Sequence, residues 1–341
     1  MATIKDIADR LNVSLGTVSM ALRNSPKVKL ETRVRVQRLA RAVRYRPNFN
    51  ARALLRGRTF SIGVIMQPFH DPFYAELVEA IHLELKARDY VGIFMPSHGN
   101  ADYDDAAETL LNRGVDGIIS KAAVPAARAK LRAENVPTVY FGAEFPAADW
   151  VAVDRHQGGC LAVEHLLRLG HRKIGFLCRT RADERRYVGF LETLRRHDLP
   201  VREDWISPGP GTRERGLRGM LNILQRSEKP TAMLAHNDTA AMGAMRAVYQ
   251  MHLRIPQDVA IIGFNNVQES RYLRVALTTV EQPVKLIARK LVYVVLQRIE
   301  NGPGQPWQQE RIEPKLIVRE SCGAQAQPGQ GKRISQEGRG T

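Results

Sequence analysis

The chain has 341 residues, of which 44% are hydrophobic and 25% are charged, so it can bury a substantial core and has room for more than one domain. It lacks both the roughly 20 consecutive apolar residues of a membrane-spanning helix and the apolar segment of a secretory signal, so we expect a cytoplasmic protein. Three cysteines far apart in the sequence and nine scattered histidines favour neither a disulfide framework nor a metal site.

Three short amphipathic helices are predicted at the N-terminus, over residues 3–11, 14–23 and 30–44. Ile4, Ile7 and Leu11 recur at three- and four-residue spacing, which gives the first helix one apolar face. Ser14 is a favourable N-cap for the second helix. Six residues of that helix are left to face a DNA groove: Leu15, Gly16, Thr17, Ser19, Met20 and Arg23. The pattern predicts an all-α helix-turn-helix DNA-binding domain.

The positive charge is concentrated in the same segment. Residues 1–58 hold fourteen Lys and Arg against three acids, which is +11 of the chain's net charge of +16. A solvated charged face is the plainer interpretation. The coincidence with a turn between two short helices favours nucleic acid instead, because attraction to phosphate grows with local cation density.

From residue 60 onward, apolar runs alternate with amphipathic helices, which predicts parallel sheets covered on both faces. The predicted strands form two series, 60–66, 90–96, 115–120 and 136–141, then 173–178, 231–235 and 259–264. The predicted helices are 72–88, 104–112, 184–197, 213–226, 239–251 and 284–300. A last strand, 311–318, is expected to return to the first series. We therefore predict two doubly wound α/β lobes.

The predicted domains follow from this pattern. They are a headpiece, 1–58, with a conditional hinge helix at about 48–56; a two-lobed core, 59–322; and a disordered tail, 323–341. Within the core, the first lobe is predicted at about 60–158 plus 285–318, and the second at about 161–281. The chain is expected to cross between the lobes at 154–161, 281–285 and 318–322.

Several short sequences resemble the lactose-repressor (LacI) family of bacterial regulators. They include TIKDIA at 3–8, VSLGTVS at 13–19, YRPN at 45–48, DPFY at 71–74, RYVGF at 186–190 and VAIIGF at 259–264, in family order. The resemblance implies a homodimer on an operator of two half-sites and a two-lobed core like the periplasmic sugar-binding proteins. It implies a repressor rather than an enzyme, with no cofactor and no membrane partner.

The hinge segment is too short to form a stable helix alone, so we expect it to fold beside its dimer mate on DNA. The resemblance places Leu54 where paired leucines enter the minor groove; the alternative makes Leu54 a fragment of core. Leu15, Gly16 and Met20 cannot make bidentate hydrogen bonds to bases, so we expect specificity to rely on the hinge and on DNA shape. The predicted DNA-binding residues are Thr3, Leu15, Gly16, Thr17, Ser19, Met20, Arg23, Asn24, Asn48, Arg52 and Leu54.

Loops at the carboxyl ends of the strands should meet at a cleft between the lobes. The predicted effector-binding residues there are Asp71, Phe73, Tyr74, Lys121, Asp154, Arg186, Asp238 and Asn265. Arg186 and Asp238 match the family's ligand-binding residues, although Asp238 could instead cap a helix and Arg186 could be a solvated charge. Phe73 could equally belong to the core. Asn265 and Asn266 stand where relatives often carry Asp, so one acidic group is missing from the expected pocket, which leaves hydroxyl binding intact but weakens the case for a cationic ligand.

Three classes of protein compete. A ligand-responsive DNA-binding repressor accounts for both parts of the chain, with a sugar or sugar derivative as the expected effector and a purine as the alternative. A transport solute-binding protein fits the core but not the cationic headpiece. An enzyme is disfavoured because the sequence holds no P-loop, GxSxG or metal-ligand spacing.

Overall fold

The computed structural model describes residues 3–22, 24–45, 57–98, 100–121, 125–179 and 184–324. The chain divides into two compact units, Met1–Phe60, the headpiece, and Ser61–Thr341, the core unit. None of the helices in these described ranges has the length and apolar character that spanning a membrane requires.

The described part of the headpiece contains the helices α1 (Ile4–Leu11), α2 (Leu15–Leu22) and α3 (Leu30–Ala42). Thr3 and Asp6 form a capping box at the start of α1, because each side chain accepts a hydrogen bond from the other's backbone N–H. Ser14 is the N-cap of α2, since its Oγ accepts a hydrogen bond from Thr17 N–H at 3.1 Å. Buried residues of these helices, with Val28 from the turn between α2 and α3, form one small core: Ile7, Ala8, Val18, Ala21, Val28, Val36 and Ala40.

Two six-stranded sheets organise the core unit. The first, in lobe 1, holds β1 (Ser61–Met66), β2 (Val91–Pro96), β3 (Gly117–Ser120), β4 (Thr138–Phe141), β5 (Asp149–Val153) and β11 (Gln309–Ile312), all parallel in the order β2-β1-β3-β4-β5-β11. The second, in lobe 2, holds β6 (Ile174–Arg179), β7 (Ile206–Pro208), β8 (Ala232–Ala235), β9 (Ala260–Asn265), β10 (Thr278–Glu281) and β12 (Lys315–Ile317), in the order β7-β6-β8-β9-β10-β12. Of these pairings, only that of β12 with β10 is antiparallel among the described strands.

Helices cover both faces of each sheet, as the sequence pattern predicts. They are α4 (Pro72–Lys86), α5 (Asn100–Asn112), α6 (Pro125–Ala133), α7 (Arg155–Arg168), α8 (Arg185–Arg196), α9 (Arg213–Leu224), α10 (Asp238–Gln250) and α11 (Val284–Asn301). In β1, Ile62 and Val64 point into the core shared with α4 and α11, and Ile65 points to the opposite core with α5. In β6 of lobe 2, Phe176 likewise points into one core and Leu177 into the core on the opposite face of the sheet.

The return of the chain to the sheets differs from the sequence prediction. The single strand expected at 311–318 is two strands, β11 in lobe 1 and β12 in lobe 2, because the chain leaves one sheet at Glu313 and Pro314 and proline cannot donate to a ladder. The third crossing is therefore at 313–314 rather than 318–322, and residues 315–324 pack with lobe 2. The first crossing is also shorter than predicted, since α7 begins at Arg155.

Candidate DNA-binding and effector sites

Helix α2 presents a mixed face on the headpiece surface. Leu15 is 50% exposed and Gly16 is also exposed, whereas Thr17 and Ser19 are half-buried. Thr17 Oγ1 lies 2.9 Å from Ser14 Oγ, so this hydroxyl already has a partner within the helix end. The described side chains of this face are small or apolar, as predicted, and offer little bidentate hydrogen bonding to base edges.

Three other predicted DNA-binding residues have structural roles in the headpiece. Met20 is half-buried against the headpiece core. The Thr3 hydroxyl caps α1. Asn24 adopts a left-handed conformation with φ 57°, and its Oδ1 accepts from Gln37 Nε2 at 2.6 Å. The remaining predicted residues of this set lie outside the described residues: Arg23, Asn48, Arg52 and Leu54.

Cations cover the solvent side of the three headpiece helices. The exposed ones in the described part of the headpiece include Lys5, Arg10, Lys27, Lys29, Arg35, Arg38, Arg41 and Arg44. Such a density of exposed positive charge on a small unit is what a polyanionic backbone attracts.

The two lobes of the core unit touch each other beside the cleft. Gln268 N–H, in the turn after β9, donates to Glu76 Oε1 of α4 at 3.0 Å. Val267 of lobe 2 is buried in the same apolar cluster as Phe73 of lobe 1. These contacts between α4 and the turn after β9 bring the carboxyl end of the lobe 1 sheet close to the carboxyl end of the lobe 2 sheet.

Arg186 lies in the first turn of α8, and two glycines allow that helix to approach α7. A Cβ at Gly159 would lie 2.3 Å from the Arg186 carbonyl oxygen, and a Cβ at Gly189 would lie 2.2 Å from the His156 carbonyl oxygen. Neither distance leaves room for a side chain, so the two helices interlock through these glycines. Glu184 caps α8 by accepting from Tyr187 N–H at 3.2 Å.

The Arg186 guanidinium is buried in lobe 2, with 6% of the residue exposed. Its Nη1 donates to the His236 carbonyl oxygen and to His236 Nε2, both at 2.9 Å. Its Cζ lies 4.4 Å from the centre of the Phe264 ring, and Nη1 lies 3.7 Å from Glu184 Oε1. The alternative of a solvated Arg186 is therefore wrong.

The His236 ring is neutral in this setting. Burial, reinforced by the charges of Arg186, Arg155 and Lys121, holds the pKa of His236 well below its ordinary value. Because guanidinium can only donate, Nε2 is the acceptor and the ring proton belongs on Nδ1.

Three buried polar atoms around Arg186 have no hydrogen-bond partner among the described residues: Arg186 Nε, His236 Nδ1 and Glu184 Oε1. Two of them are donors and one is an acceptor. Unsatisfied buried polar groups are rare in folded proteins because each costs about 1–3 kcal/mol.

Residues of lobe 1 share the electrostatic environment of this cluster. Burial raises the pKa of the Tyr74 hydroxyl, and the negative charge of Asp71 adds to the shift while Arg186 and Arg155 oppose it. Burial likewise raises the pKa of Asp71, whose Oδ1 accepts from Phe73 N–H at 3.0 Å. Tyr74 itself is buried in the lobe 1 core, with its ring centre 5.2 Å from that of Phe73.

Lys121 of lobe 1 and Arg155, the first residue of α7, both lie beside Gly142. A Cβ built on Gly142 would lie 3.3 Å from Lys121 Nζ and 4.0 Å from Arg155 Nη2, so both cations flank this glycine. Arg155 Nη2 donates to the Gly142 carbonyl oxygen at 2.5 Å, and Lys121 Nζ lies 5.6 Å from the centre of the Phe141 ring.

Two predicted ligand residues instead belong to the interior. Phe73 is 2% exposed and stacks on Phe141 with ring centres 6.1 Å apart, so it is part of the lobe 1 core. Asp238 has 0% exposure, and its oxygens accept from the Thr279 hydroxyl at 2.5 Å and from Val267 N–H at 2.9 Å. Asp238 therefore holds the loop after β9 and does not face the cleft. The N-cap of α10 is Asn237, not Asp238.

Two further predicted residues lie at the crossings between lobes. Asp154 caps α7 by accepting from Gln157 N–H at 2.9 Å. Asn265 Oδ1 accepts from Gln282 Nε2 at 2.6 Å, which joins the end of β9 to the second crossing. Both side chains therefore stabilise the backbone at the crossings between the lobes.

Sequence reasoning missed Glu184, His236 and Arg155. His236 directly follows β8, so the rule that selected Asp238, a polar residue at the carboxyl end of a strand, could have found it. Arg155 follows a predicted residue at the first crossing, but no sequence pattern shows that it turns toward Gly142.

The described residues contain no group of three potential metal ligands, and the three cysteines are free thiols.

Comparisons with known proteins agree with this architecture. Residues 3–48 match the bacterial regulatory proteins of the lacI family, and residues 163–322 match the periplasmic binding protein-like domain. The HTH-type transcriptional repressor PurR of Yersinia pestis bv. Antiqua (strain Antiqua) is 33% identical over 331 residues, covering 94% of this chain and 97% of that protein.

Solved structures show the same fold. The transcriptional regulator CelR in complex with cellobiose is 25% identical with a TM-score of 0.71, covering 94% of this chain and 100% of that one. The lac repressor dimer bound to operator is 24% identical with a TM-score of 0.83, covering 94% and 99%. The predicted fold class, a helix-turn-helix headpiece before a two-lobed α/β core, is confirmed. The chain belongs to the lacI family of bacterial transcriptional regulators, as a DNA-binding repressor controlled by a small-molecule effector.

Proposed function

We propose that the effector is a sugar or sugar derivative held between the lobes, and that its binding sets the operator affinity of a homodimer. The proposed contacts come from Asp71 and Tyr74 of lobe 1, Lys121 and Arg155 beside Gly142, and Arg186 with its neighbours Glu184 and His236. Phe73 and Asp238 are left out of this set because they are buried in other contacts. Asp154 and Asn265 are left out because they stabilise the crossings between the lobes.

The observation that carries the proposal is the set of three buried polar atoms around Arg186 that have no hydrogen-bond partner among the described residues. Two donors and one acceptor in a small space match the hydroxyl groups of a sugar, because each hydroxyl both donates and accepts. A ligand that supplied these partners would remove their desolvation cost, and this gain would appear as affinity.

A purine is the alternative ligand, and the aromatic rings of the cleft argue against it. An exposed aromatic face is a common stacking surface for a flat base. Arg186 covers Phe264, Lys121 lies over Phe141, and Phe73 is buried. The cellobiose in the CelR complex supports a sugar for this chain as well.

We infer binding rather than catalysis, because the acids nearest the cleft act as helix caps. Asp71 caps α4, Asp154 caps α7 and Glu184 caps α8. Carboxylates held by backbone N–H groups are poorly placed to transfer protons to a ligand. Action at an operator also places the protein in the compartment that holds the DNA.

The homodimer is supported by an apolar edge on lobe 1. The edge strand β2 exposes 61% of Val91, and the adjacent helix α4 exposes 57% of Leu83. A second copy of the chain would cover both, and two headpieces would then contact two half-sites.

The test combines a thermal-shift screen with operator binding. Purified full-length protein is heated with neutral sugars, sugar acids, sugar phosphates and nucleobases, and each stabilising compound is added to a titration of labelled operator DNA. We expect a sugar or sugar derivative to raise Tm and to change operator affinity. A nucleobase as the only stabilising compound, or a stabilising sugar that leaves operator affinity unchanged, would contradict the proposal.

A further inference from the structure

We propose that lobe 1 carries a second ligand site, separate from the cleft, which binds a flat aromatic acid. The site is a cavity at the amino end of the lobe 1 sheet, called the lobe 1 cavity below. The described residues that line it include Arg128, Arg132, Tyr140, Asp149, Arg298 and Trp307. The inference goes beyond the proposed function, because the cleft and its sugar play no part in it.

The lobe 1 cavity lies at the end of the sheet that is remote from the cleft. It is bounded by α6, the first residues of β4 and β5, the end of α11 and the loop at 302–307. The effector cleft is at the carboxyl ends of the same strands, so the two sites are distinct. The volume of the cavity, about 890 Å³, is within the range of roughly 300–1,000 Å³ that is typical of small-molecule sites.

Trp307 gives the cavity an exposed aromatic ring. The residue is 48% exposed, although it lies in the loop that follows α11. The Arg298 guanidinium lies over the ring, with Cζ 5.0 Å from the ring centre, and Arg298 is only 7% exposed. Arg298 therefore covers one face of the indole. The exposed surface is on the rest of the ring, where a flat ligand can stack.

A buried ion pair fixes the loop that carries this ring. Arg298 Nε and Nη2 donate to Asp149, both at 2.7 Å, and Nη2 also donates to the Pro306 carbonyl oxygen at 3.0 Å. Asp149 accepts a further hydrogen bond from Gln308 N–H at 2.8 Å. Both neighbours of Trp307 in the chain are thus tied to this ion pair, so the ring requires little ordering when a ligand binds.

Two arginines of α6 supply positive charge to the cavity. Arg128 and Arg132 are one helical turn apart, so they lie on the same side of the helix. The Arg128 guanidinium stacks on Phe145, with Cζ 3.7 Å from the ring centre. Because Arg128 lines the cavity and Phe145 does not, the guanidinium lies between that ring and the cavity. Neither arginine forms an ion pair with a carboxylate of the described residues.

The acid in the cavity is already neutralised. Asp149 is the one carboxylate among the described lining residues, and it is 1% exposed and paired with Arg298. A guanidinium binds a carboxylate through two parallel hydrogen bonds, so the arginines of α6 favour an acid as the ligand.

Much of the remaining lining is apolar. It includes Ala129, Val136, Pro137, Ile299 and Pro303. Such a surface suits the carbons of a ring and leaves the hydroxyl groups of a sugar without partners. An exposed indole, an apolar wall and two arginines together select a flat aromatic ring that carries a carboxylate.

The homodimer edge proposed above leaves the cavity accessible. That edge consists of β2 and α4, and the sheet order places β1 and β3 between β2 and β4. The lobe 1 cavity, beside β4 and β5, is therefore toward the other edge of the sheet. A second copy of the chain on the β2 edge would not cover it.

The experiment compares matched ligands that differ in charge or in aromatic character. Full-length protein is titrated by calorimetry at constant ionic strength with benzoate and indole-3-acetate, with their neutral amides, and with cyclohexanecarboxylate, an acid without an aromatic ring. We expect at least one aromatic acid to bind about tenfold more tightly than its amide and than cyclohexanecarboxylate.

Variants locate the binding site. Arg128→Gln and Trp307→Leu should each weaken binding of the aromatic acid by about tenfold, and the exposed Arg132→Gln by about threefold. Arg113→Gln and Tyr293→Leu are the matched controls, because both residues are exposed in lobe 1 and neither lines the cavity. Circular dichroism verifies that each variant keeps its fold. If Arg128→Gln does not fold, Arg132→Gln still tests the contact with the acid.

Sedimentation velocity tests the other possible occupant of the cavity. If a second copy of the chain covered this surface, Trp307→Leu would convert dimers to monomers, and Tyr293→Leu would not. That result would overturn the inference.

Three further results would also overturn it. These are no binding of either aromatic acid, amides or cyclohexanecarboxylate that bind as tightly as the aromatic acids, and folded Arg132 and Trp307 variants that keep full affinity. The sugar proposed for the cleft is absent from these titrations, so the inference and the proposed function can fail independently.

Discussion

Arg186 is the residue on which the proposed effector site depends most. Its guanidinium holds His236 in one tautomer, stacks on Phe264 and leaves Nε for the ligand. A lysine cannot make these contacts together, because an ammonium group lacks the planar fork. We expect Arg186→Lys to weaken binding of the effector found in the screen by tenfold or more, which is about 1.4 kcal/mol.

Calorimetry of the variant against the wild type measures this loss. Arg185→Lys is the matched control, since Arg185 is the exposed neighbour in the same helix turn. Equal effector affinity in the Arg186 and Arg185 variants would show that Arg186 does not contact the ligand.

Asp238 gives the core unit a specific pH dependence. Burial raises its pKa from 3.8 to about 6. Both folded and unfolded chains are protonated at this site below about pH 4, and both are ionised above about pH 6. Between these values the unfolded chain loses its proton first, so the free energy of unfolding falls as pH rises, by roughly 3 kcal/mol.

The Asp238→Asn variant lacks this titration and serves as the reference. The stability of the wild type minus that of the variant should be greater at pH 4 than at pH 7, measured by urea unfolding of the core unit. A difference that stays constant over this range would mean that the folded-state pKa of Asp238 is not raised.

Some residue roles could be predicted from the sequence and others could not. Arg186 was predictable because its motif is local, and the structure adds the reason for the glycine in RYVGF, since Gly189 approaches the His156 carbonyl oxygen. The interior position of Asp238 depends on Val267 and Thr279, which are distant in the sequence. Local patterns cannot reveal such partners.

At the scale of elements, the recognition helix and the hinge should contribute unequally to operator affinity. Leu15 is exposed and Met20 is half-buried, and neither can form a bidentate contact with a base. A wedge leucine that unstacks a base step contributes to both affinity and DNA bending. We therefore predict that Leu54→Ala weakens operator binding far more than Leu15→Ala or Met20→Ala.

Gel-shift titration of the three full-length variants on one operator checks this order. Circular dichroism controls for headpiece folding, which matters most for Met20 because it packs on the headpiece core. A greater loss of operator affinity for Leu15→Ala or Met20→Ala than for Leu54→Ala, with the headpiece still folded, would contradict the prediction that operator binding relies on the hinge helix.

Elements with strong periodicity were predicted well, and short ones were not. The helices α4 and α8 end within two residues of the predicted limits, because each has a clear apolar stripe and a capping side chain. The strands β5, β7 and β10 and the helix α6 were missed, since short runs next to loops give weak periodicity. The 14-residue helix α7 was missed as well, because it begins within the segment predicted as a crossing. The split of β11 from β12 depends on which sheet each segment meets, which is a tertiary property.

For the whole molecule, the order of a cationic helix-turn-helix unit and a two-lobed core was evident from charge and pattern alone. The contact between the lobes was not, because the Gln268 to Glu76 hydrogen bond joins residues 192 positions apart. This contact matters for function, since a ligand that stabilises one arrangement of the lobes can change operator affinity only through its preference for that arrangement.

The most direct test measures both sides of this coupling. Effector affinity is determined by calorimetry with and without saturating operator, and operator affinity is determined by fluorescence anisotropy with and without saturating effector. Because coupling free energies are reciprocal, we predict the same factor in both experiments, about 5- to 150-fold. A ligand that changes operator affinity while its own affinity is unaffected by DNA would contradict control through the cleft.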